Sequence, residues 1–120
     1  MKVKSSIIEE TIEIVNENGD IVLSLPFTVN VARTYERFIK ARYDYKTIAE
    51  SEDTEAVRGA VKELFCAAFG EEVTDKLLDY YKGDYFTMTA DMTPLFSDII
   101  YPAYEAYREN MLAAHKRAKR

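Results

Sequence analysis

From Asp91 to Arg120 the chain reads as one long helix, apolar over more of its circumference than one small core requires. Phe96, Ile99, Ile100, Ala103, Tyr107, Met111 and Ala114 recur at helical spacing and form its main face. Tyr101, Tyr104, Arg108 and Leu112 make a second, partly apolar stripe beside the first. A chain of 120 residues builds one core of modest size, which does not need both stripes. The second is therefore expected to meet another copy or a partner helix. Thr93 is placed to cap this helix and Pro94 falls at its first position, where proline is favoured. Pro102 lies inside it, removes one backbone hydrogen bond, and should kink it near Asp98 to Tyr101 or split it at Tyr101.

The preceding segments complete an α+β, mainly α domain: a β-hairpin followed by about four helices, the last one long and kinked at Pro102. Residues 1–120 read as a single domain with the hairpin at 7–29, a helical part at 30–115 and a basic tail at 116–120. Ile8, Ile12 and Ile14 share a strand face interrupted by Glu10, and Leu23, Leu25, Phe27 and Val29 share another. Between them stands Asn18-Gly19, a strong hairpin signal because both residues tolerate positive φ. Pro26 lacks an N–H, which puts its strand at an edge or at a bulge. A lone hairpin is marginal in water, so its apolar face needs cover from the helices or from a second subunit. Asn30 should cap a helix over 31–43 with Val31, Tyr35, Phe38, Ile39 and Arg42 on one face, leaving 44–52 as a link. Asp53 or Thr54 should cap a second helix ending at Phe69, with Val57, Ala60, Val61, Leu64, Phe65 and Ala68 inward and Gly70 as its C-cap. A short third helix is expected from Thr74 to Gly83, followed by a Thr-rich link over 84–93.

Charge and composition exclude several classes. The chain is 48% hydrophobic and 31% charged, too apolar for disorder. No apolar run approaches the length of a membrane span. The start, Met1-Lys2-Val3-Lys4-Ser5-Ser6, opens no long apolar segment, and a single cysteine cannot form an internal disulfide, so the cytoplasm is the expected compartment. Four of the sixteen Lys and Arg residues lie in Lys116–Arg120, leaving twelve bases against twenty-one acids elsewhere, a balance of −9. Such an acidic body repels phosphate backbones, so no nucleic-acid partner is expected, and no membrane partner either. The basic end suits the negative pole of the helix dipole and could also touch an acidic partner.

Catalytic and metal constellations are missing from the pattern. Cys66 sits on an apolar helix beside Phe65, the setting of an inert core thiol, and His115 lies among cations that repel a metal. Gly19, Gly59, Gly70 and Gly83 are dispersed and build no phosphate loop. No cofactor, metal or catalytic residue is expected. The excess is in tyrosine, nine residues, a type enriched at interfaces because it covers area while its hydroxyl stays wet. Tyr80, Tyr81, Tyr85 and Phe86 cluster around Gly83, and Tyr101, Tyr104 and Tyr107 mark the last helix with Arg108 and Leu112. These nine residues are the candidate protein-binding set.

The order of segments also resembles a known family. A hairpin leads to a helix carrying Tyr35-Glu36-Arg37-Phe38 and then an acidic link. Val61-Lys62-Glu63-Leu64-Phe65 runs into Phe69-Gly70-Glu71-Glu72, and the short helix of Thr74-Asp75-Lys76-Leu77-Leu78 follows. The end is basic, Ala114-His115-Lys116-Arg117-Ala118-Lys119-Arg120. Over about residues 20–120 this is similar to the small tail assembly chaperones of long-tailed phages and prophages of Gram-positive bacteria. The resemblance implies a non-enzymatic protein that self-associates, coats the long helical tape measure protein and is displaced as the tail tube polymerises. It also implies that a frameshifted longer form can be made. Two other readings stay open: a phage structural or head-tail connector protein that forms a ring, and a small ligand-binding module or enzyme with a pocket between helices.

Overall fold

The computed structural model describes residues 6–118. The N-terminal Met1–Ser5 and the last two tail residues, Lys119 and Arg120, lie outside the described residues. Strands β1 (Ile7–Val15) and β2 (Ile21–Asn30) pair antiparallel, from Ile7 opposite Asn30 to Ile14 opposite Leu23. The register then slips, so that Val15 faces Ile21 and Val22 is the extra residue of a bulge. At the loop, Gly19 alone takes positive φ, +83°, while Asn18 does not. Asn16 organises the turn instead: its Oδ1 accepts from the N–H groups of Asn18 and Asp20 at 2.9 and 3.0 Å. One face of the hairpin is buried through Ile8, Ile12, Leu25, Phe27 and Val29, with Glu10 exposed as the interruption. The chain's own helices cover that face; the Phe27 ring meets Phe69 edge-on at 4.9 Å.

Helix α1 (Val31–Ile48) starts at Asn30, whose Oδ1 accepts from the Arg33 N–H at 3.1 Å. It runs to Ile48 rather than stopping at Tyr43, so most of the expected link over 44–52 is helical. Lys40 pairs with Asp44 at 2.8 Å, the Thr47 hydroxyl donates to the Tyr43 carbonyl, and Tyr45 packs against the core. The polar residues that suggested a link are the outward face of a helix. Helix α2 (Thr54–Phe69) is capped by Asp53 and closed by Gly70 at φ +88°. Every residue from Leu64 to Phe69 is buried, so this helix ends inside the molecule with neighbours all round. Cys66, Ala67 and Phe69 join the expected face for that reason.

Helix α3 (Glu71–Tyr80) begins three residues before the expected start. Its first-turn acids Glu71 and Glu72 suit the helix N-terminus. Thr74 is buried inside it, its hydroxyl donating to the Gly70 carbonyl at 2.8 Å. The turn that follows uses two consecutive left-handed residues, Lys82 at φ +53° and Gly83 at +77°. The expected Thr-rich link over 84–93 is instead helix α4 (Tyr85–Leu95). Asp84 caps it, accepting from the Thr87 N–H at 3.1 Å and the Thr87 hydroxyl at 2.6 Å. The Thr89 and Thr93 hydroxyls fold back onto the carbonyls of Tyr85 and Thr89, both at 2.8 Å, which keeps these residues compatible with a helix. Met88 and Met92 fix the buried face. Thr93 is therefore no cap, and Pro94 lies in the last turn rather than the first.

The helix continues through a π turn (Phe96–Ile100) into α5 (Tyr101–Ala118). The Tyr101 N–H bonds the Phe96 carbonyl, five residues back. The irregularity expected from Pro102 thus takes the form of a wider turn just before it. That turn moves the carbonyls ahead of the proline ring away from the clash an α-turn would impose. One core joins hairpin and helices and ends on α5 at Tyr104. From Arg108 to Ala118 every residue is exposed, and the described residues measure 54 × 36 × 21 Å.

Candidate functional site

The nine candidate residues divide into a set that closes the core and a set that faces outward. Tyr104 is 1% exposed, stacks on Phe38 with ring centroids 4.1 Å apart, and shares a hydrogen bond with the Thr34 hydroxyl. Tyr101 lies beside Phe38 and Phe96, with the Arg42 guanidinium 4.2 Å above its ring. Tyr107 meets Tyr35 at 5.1 Å. These three tyrosines are the seam that docks α5 on α1. The second stripe of the long helix is thus used internally as far as Tyr104, whose side chain is unavailable to a partner. Burial raises the pKa of both the Tyr101 and the Tyr104 hydroxyls.

Beyond the seam the same helix face continues as Arg108, Leu112 and His115, with no α1 left to cover it. Arg108 is exposed, and Met111 and Leu112 are 43% and 44% exposed.

The cluster around Gly83 also splits. Tyr81 turns inward, its hydroxyl donating to Asp91 Oδ2 at 2.9 Å, which braces α3 against α4. Burial, with Asp91 beside it, pushes the Tyr81 pKa well up. Tyr80 stands edge-on to it and stays exposed. Tyr85 and Phe86, one turn on, face a different way and line an open groove of about 540 Å³. The end of α1 forms one wall through Tyr45 and Ala49, and the start of α2 forms the floor through Val57 and Arg58. Phe86 stands on the rim at 87% exposure, the most exposed of the large apolar side chains.

Sequence reasoning missed the other walls of this groove. Tyr45 falls in a stretch that reads from sequence as a link, and Ala90 in a second one, and a link has no face to present. The available signal was the apolar trio Tyr45, Ile48 and Ala49 in an otherwise polar stretch.

The charged residues that line the groove are Asp84 and Arg58, of opposite sign. Glu50, Glu52, Asp53 and Glu55 lie on the short α1–α2 connection and the first turn of α2, and Asp84 caps α4 opposite. Hydrogen bonding by the Thr87 hydroxyl and N–H holds the Asp84 carboxyl below its usual range, so it is charged at neutral pH. Arg58 pairs with Glu55 at 3.7 Å and its guanidinium lies 5.8 Å from the Tyr85 ring centroid. Behind the groove, Arg37 bonds Glu63 at 2.7 Å and Glu71 at 2.9 Å, tying α1, α2 and α3 together.

No three His, Cys, Asp or Glu side chains converge on a metal-sized site among the described residues. The buried Cys66 thiol has its pKa raised by burial, which favours the unreactive protonated form. No helix among the described residues is long and apolar enough to cross a membrane. No family model, curated protein or solved structure matches this chain. The groove is an open, largely apolar trough with an aromatic side chain on its rim.

Proposed function

We propose that this chain is a phage or prophage tail assembly chaperone, working in the host cell cytoplasm by reversible binding to a helical tape measure-like protein and to itself. The observation that carries this reading is Phe86, 87% exposed on the rim of an apolar groove in a strongly acidic body. An amphipathic helix buries its apolar ridge in such a groove, while the surrounding carboxylates keep the complex in solution. The order of segments resembling the tail chaperone family points the same way. The work is non-enzymatic: grip comes from burying apolar area, and release needs only a competing surface.

The test is co-expression with the long helical protein encoded next to this chain, followed by affinity capture and light scattering. The expected outcome is a soluble complex with many copies of this chain per partner, lost on Phe86→Ser. Because Phe86 is exposed, that substitution should change stability by less than about 0.5 kcal/mol, so lost capture reports the surface and not the fold. A partner that stays insoluble with the wild-type chain sinks the reading. The connector alternative has one observation in its favour, since β1 and β2 form a two-stranded sheet whose outer edges have no neighbour among the described residues. A stable closed ring of fixed size, indifferent to Phe86→Ser, would favour it.

A further inference from the structure

We propose that the free edge of β1 takes up an extended, basic segment of a partner protein as a third strand. This edge shares no residue with the groove between α1, α2 and α4, so the inference does not rest on the reading of that groove.

Backbone geometry decides which edge is open. The Val31 N–H donates to the Ser6 carbonyl at 2.8 Å, one step before Ile7 faces Asn30. Hydrogen-bonded and non-hydrogen-bonded pairs alternate along an antiparallel ladder. Ser6 with Val31 is a bonded pair, so Ile8, Glu10, Ile12 and Ile14 direct their N–H and C=O groups to β2. Ile7, Glu9, Thr11 and Glu13 direct theirs to the far side, where the two-stranded sheet has no neighbour among the described residues. Those alternate residues are docking positions for a new strand. The outer edge of β2 is broken, because Pro26, opposite Thr11, has no N–H to offer there.

Charge selects the occupant. From Ile7 to Asn30 the sequence holds five acids, Glu9, Glu10, Glu13, Glu17 and Asp20, and no Lys or Arg. None of the five makes an ion pair among the described residues. Glu9, Glu10, Thr11 and Glu13 border one shallow hollow that no base lines. A strand laid on β1 sets its own side chains directly opposite these carboxylates, where opposite charge stabilises and like charge destabilises. A second copy is disfavoured for that reason: antiparallel pairing of two β1 edges about Thr11 sets Glu9 against Glu13 twice. The inward positions want apolar residues. Ile8 and Ile12 are buried, and the start of β1 borders a trough of about 520 Å³ against α5 with no charged residue in its lining. Ile7 and Met111 stand there 48% and 43% exposed. The segment that fits therefore puts bases opposite Glu13, Glu10 and Glu9, and apolar or β-branched residues opposite Ile12, Thr11 and Ile8.

The probe is a fluorescein-labelled synthetic peptide, Lys-Val-Thr-Lys-Arg-Val-Thr, which places those residues in that register from Glu13 back to Ile7. Saturable binding to the full chain is expected by fluorescence anisotropy. Amide hydrogen exchange at Glu9, Thr11 and Glu13 should slow about tenfold or more in the complex, and exchange at Ser24 and Thr28 should not change. Methylating the peptide nitrogen opposite Thr11 removes a ladder donor and should abolish binding. Methylating the next nitrogen, which faces away from β1, should not. Glu9→Lys with Glu13→Lys should weaken binding about tenfold or more. Thr11→Pro should abolish it, since the Thr11 N–H lies outside the β1–β2 ladder and is needed only by the new strand. The methylated peptides keep the test decisive if that variant does not fold. Phe86→Ser should leave peptide binding unchanged.

No saturable binding up to millimolar peptide overturns the proposal. So does equal binding of the two methylated peptides, which is charge attraction without strand pairing, or protection that appears at Ser24 and Thr28 instead. Self-association that Thr11→Pro dissolves would put a second copy on this edge and overturns it too. Peptide binding without capture of a tape measure-like protein keeps this inference and defeats the chaperone reading. Capture of that protein by a chain that ignores the peptide does the reverse.

Discussion

The Tyr104 ring is stacked on Phe38, and its hydroxyl would be a buried polar group without the Thr34 hydroxyl beside it. Thr34 gives its own proton to the Asn30 carbonyl at 2.9 Å, so Tyr104 is the donor of the shared bond. Tyr104→Phe keeps the stack and loses one hydrogen bond, with an expected cost of about 1 kcal/mol in thermal or denaturant unfolding. The same variant should change the pH profile. Burial raises the folded-state pKa of Tyr81, Tyr101 and Tyr104 above that of an unfolded tyrosine. The protonated forms are favoured in the folded state. Their stabilisation is fully present below the unfolded value of about 10 and is lost as pH rises through the raised folded values. Melting temperature should therefore fall above about pH 10. It should fall less steeply in Tyr104→Phe, which has one buried hydroxyl fewer to ionise.

At the scale of elements, the instructive segment is the run from α4 to α5. Its sequence carries two prolines and several threonines, and local preference reads it as a link followed by a capped helix. Tertiary burial of Met88, Met92, Phe96, Ile100 and Tyr104 along one side overrides that preference. The π turn is what keeps this side continuous past Pro102, because it absorbs one residue without rotating the flanks out of register. Deleting Ser97, an exposed residue of the π turn, should convert the turn to α-helix and leave Phe96, Ile100 and Tyr104 on one face. Its expected cost is within about 1 kcal/mol, the scale of a change that leaves the core contacts in place. Deleting Ala90 rotates Met88 and the groove wall away from the core and should cost about 2–5 kcal/mol, the range of a lost large core residue. Parallel melts of the two deletions decide the matter, and equal losses would contradict this account of the turn.

For the whole molecule, the question is which surface belongs to the fold and which is left for partners. Among the described residues, truncation after Met111 removes Leu112 to Ala118, all exposed, so unfolding free energy should move by less than about 0.5 kcal/mol while self-association disappears. Light scattering and melting curves on the same samples separate the two effects. Much of the architecture was legible in the chain itself. Period-two apolar patterns fixed the hairpin faces, Asn30, Asp53 and Gly70 marked helix ends, and the period of 3.6 placed α1 and α2. These signals are local: they come from backbone geometry and from capping groups a few residues apart. The assignment of tyrosines was not legible, because an amphipathic ring at helical spacing looks the same whether it meets its own chain or another. Only tertiary packing decided that Tyr101, Tyr104 and Tyr107 close the α1–α5 seam while Phe86 and Leu112 stay outside. It did so by laying the first half of α1 along the first turns of α5, so that burial along one helix face stops where α1 begins.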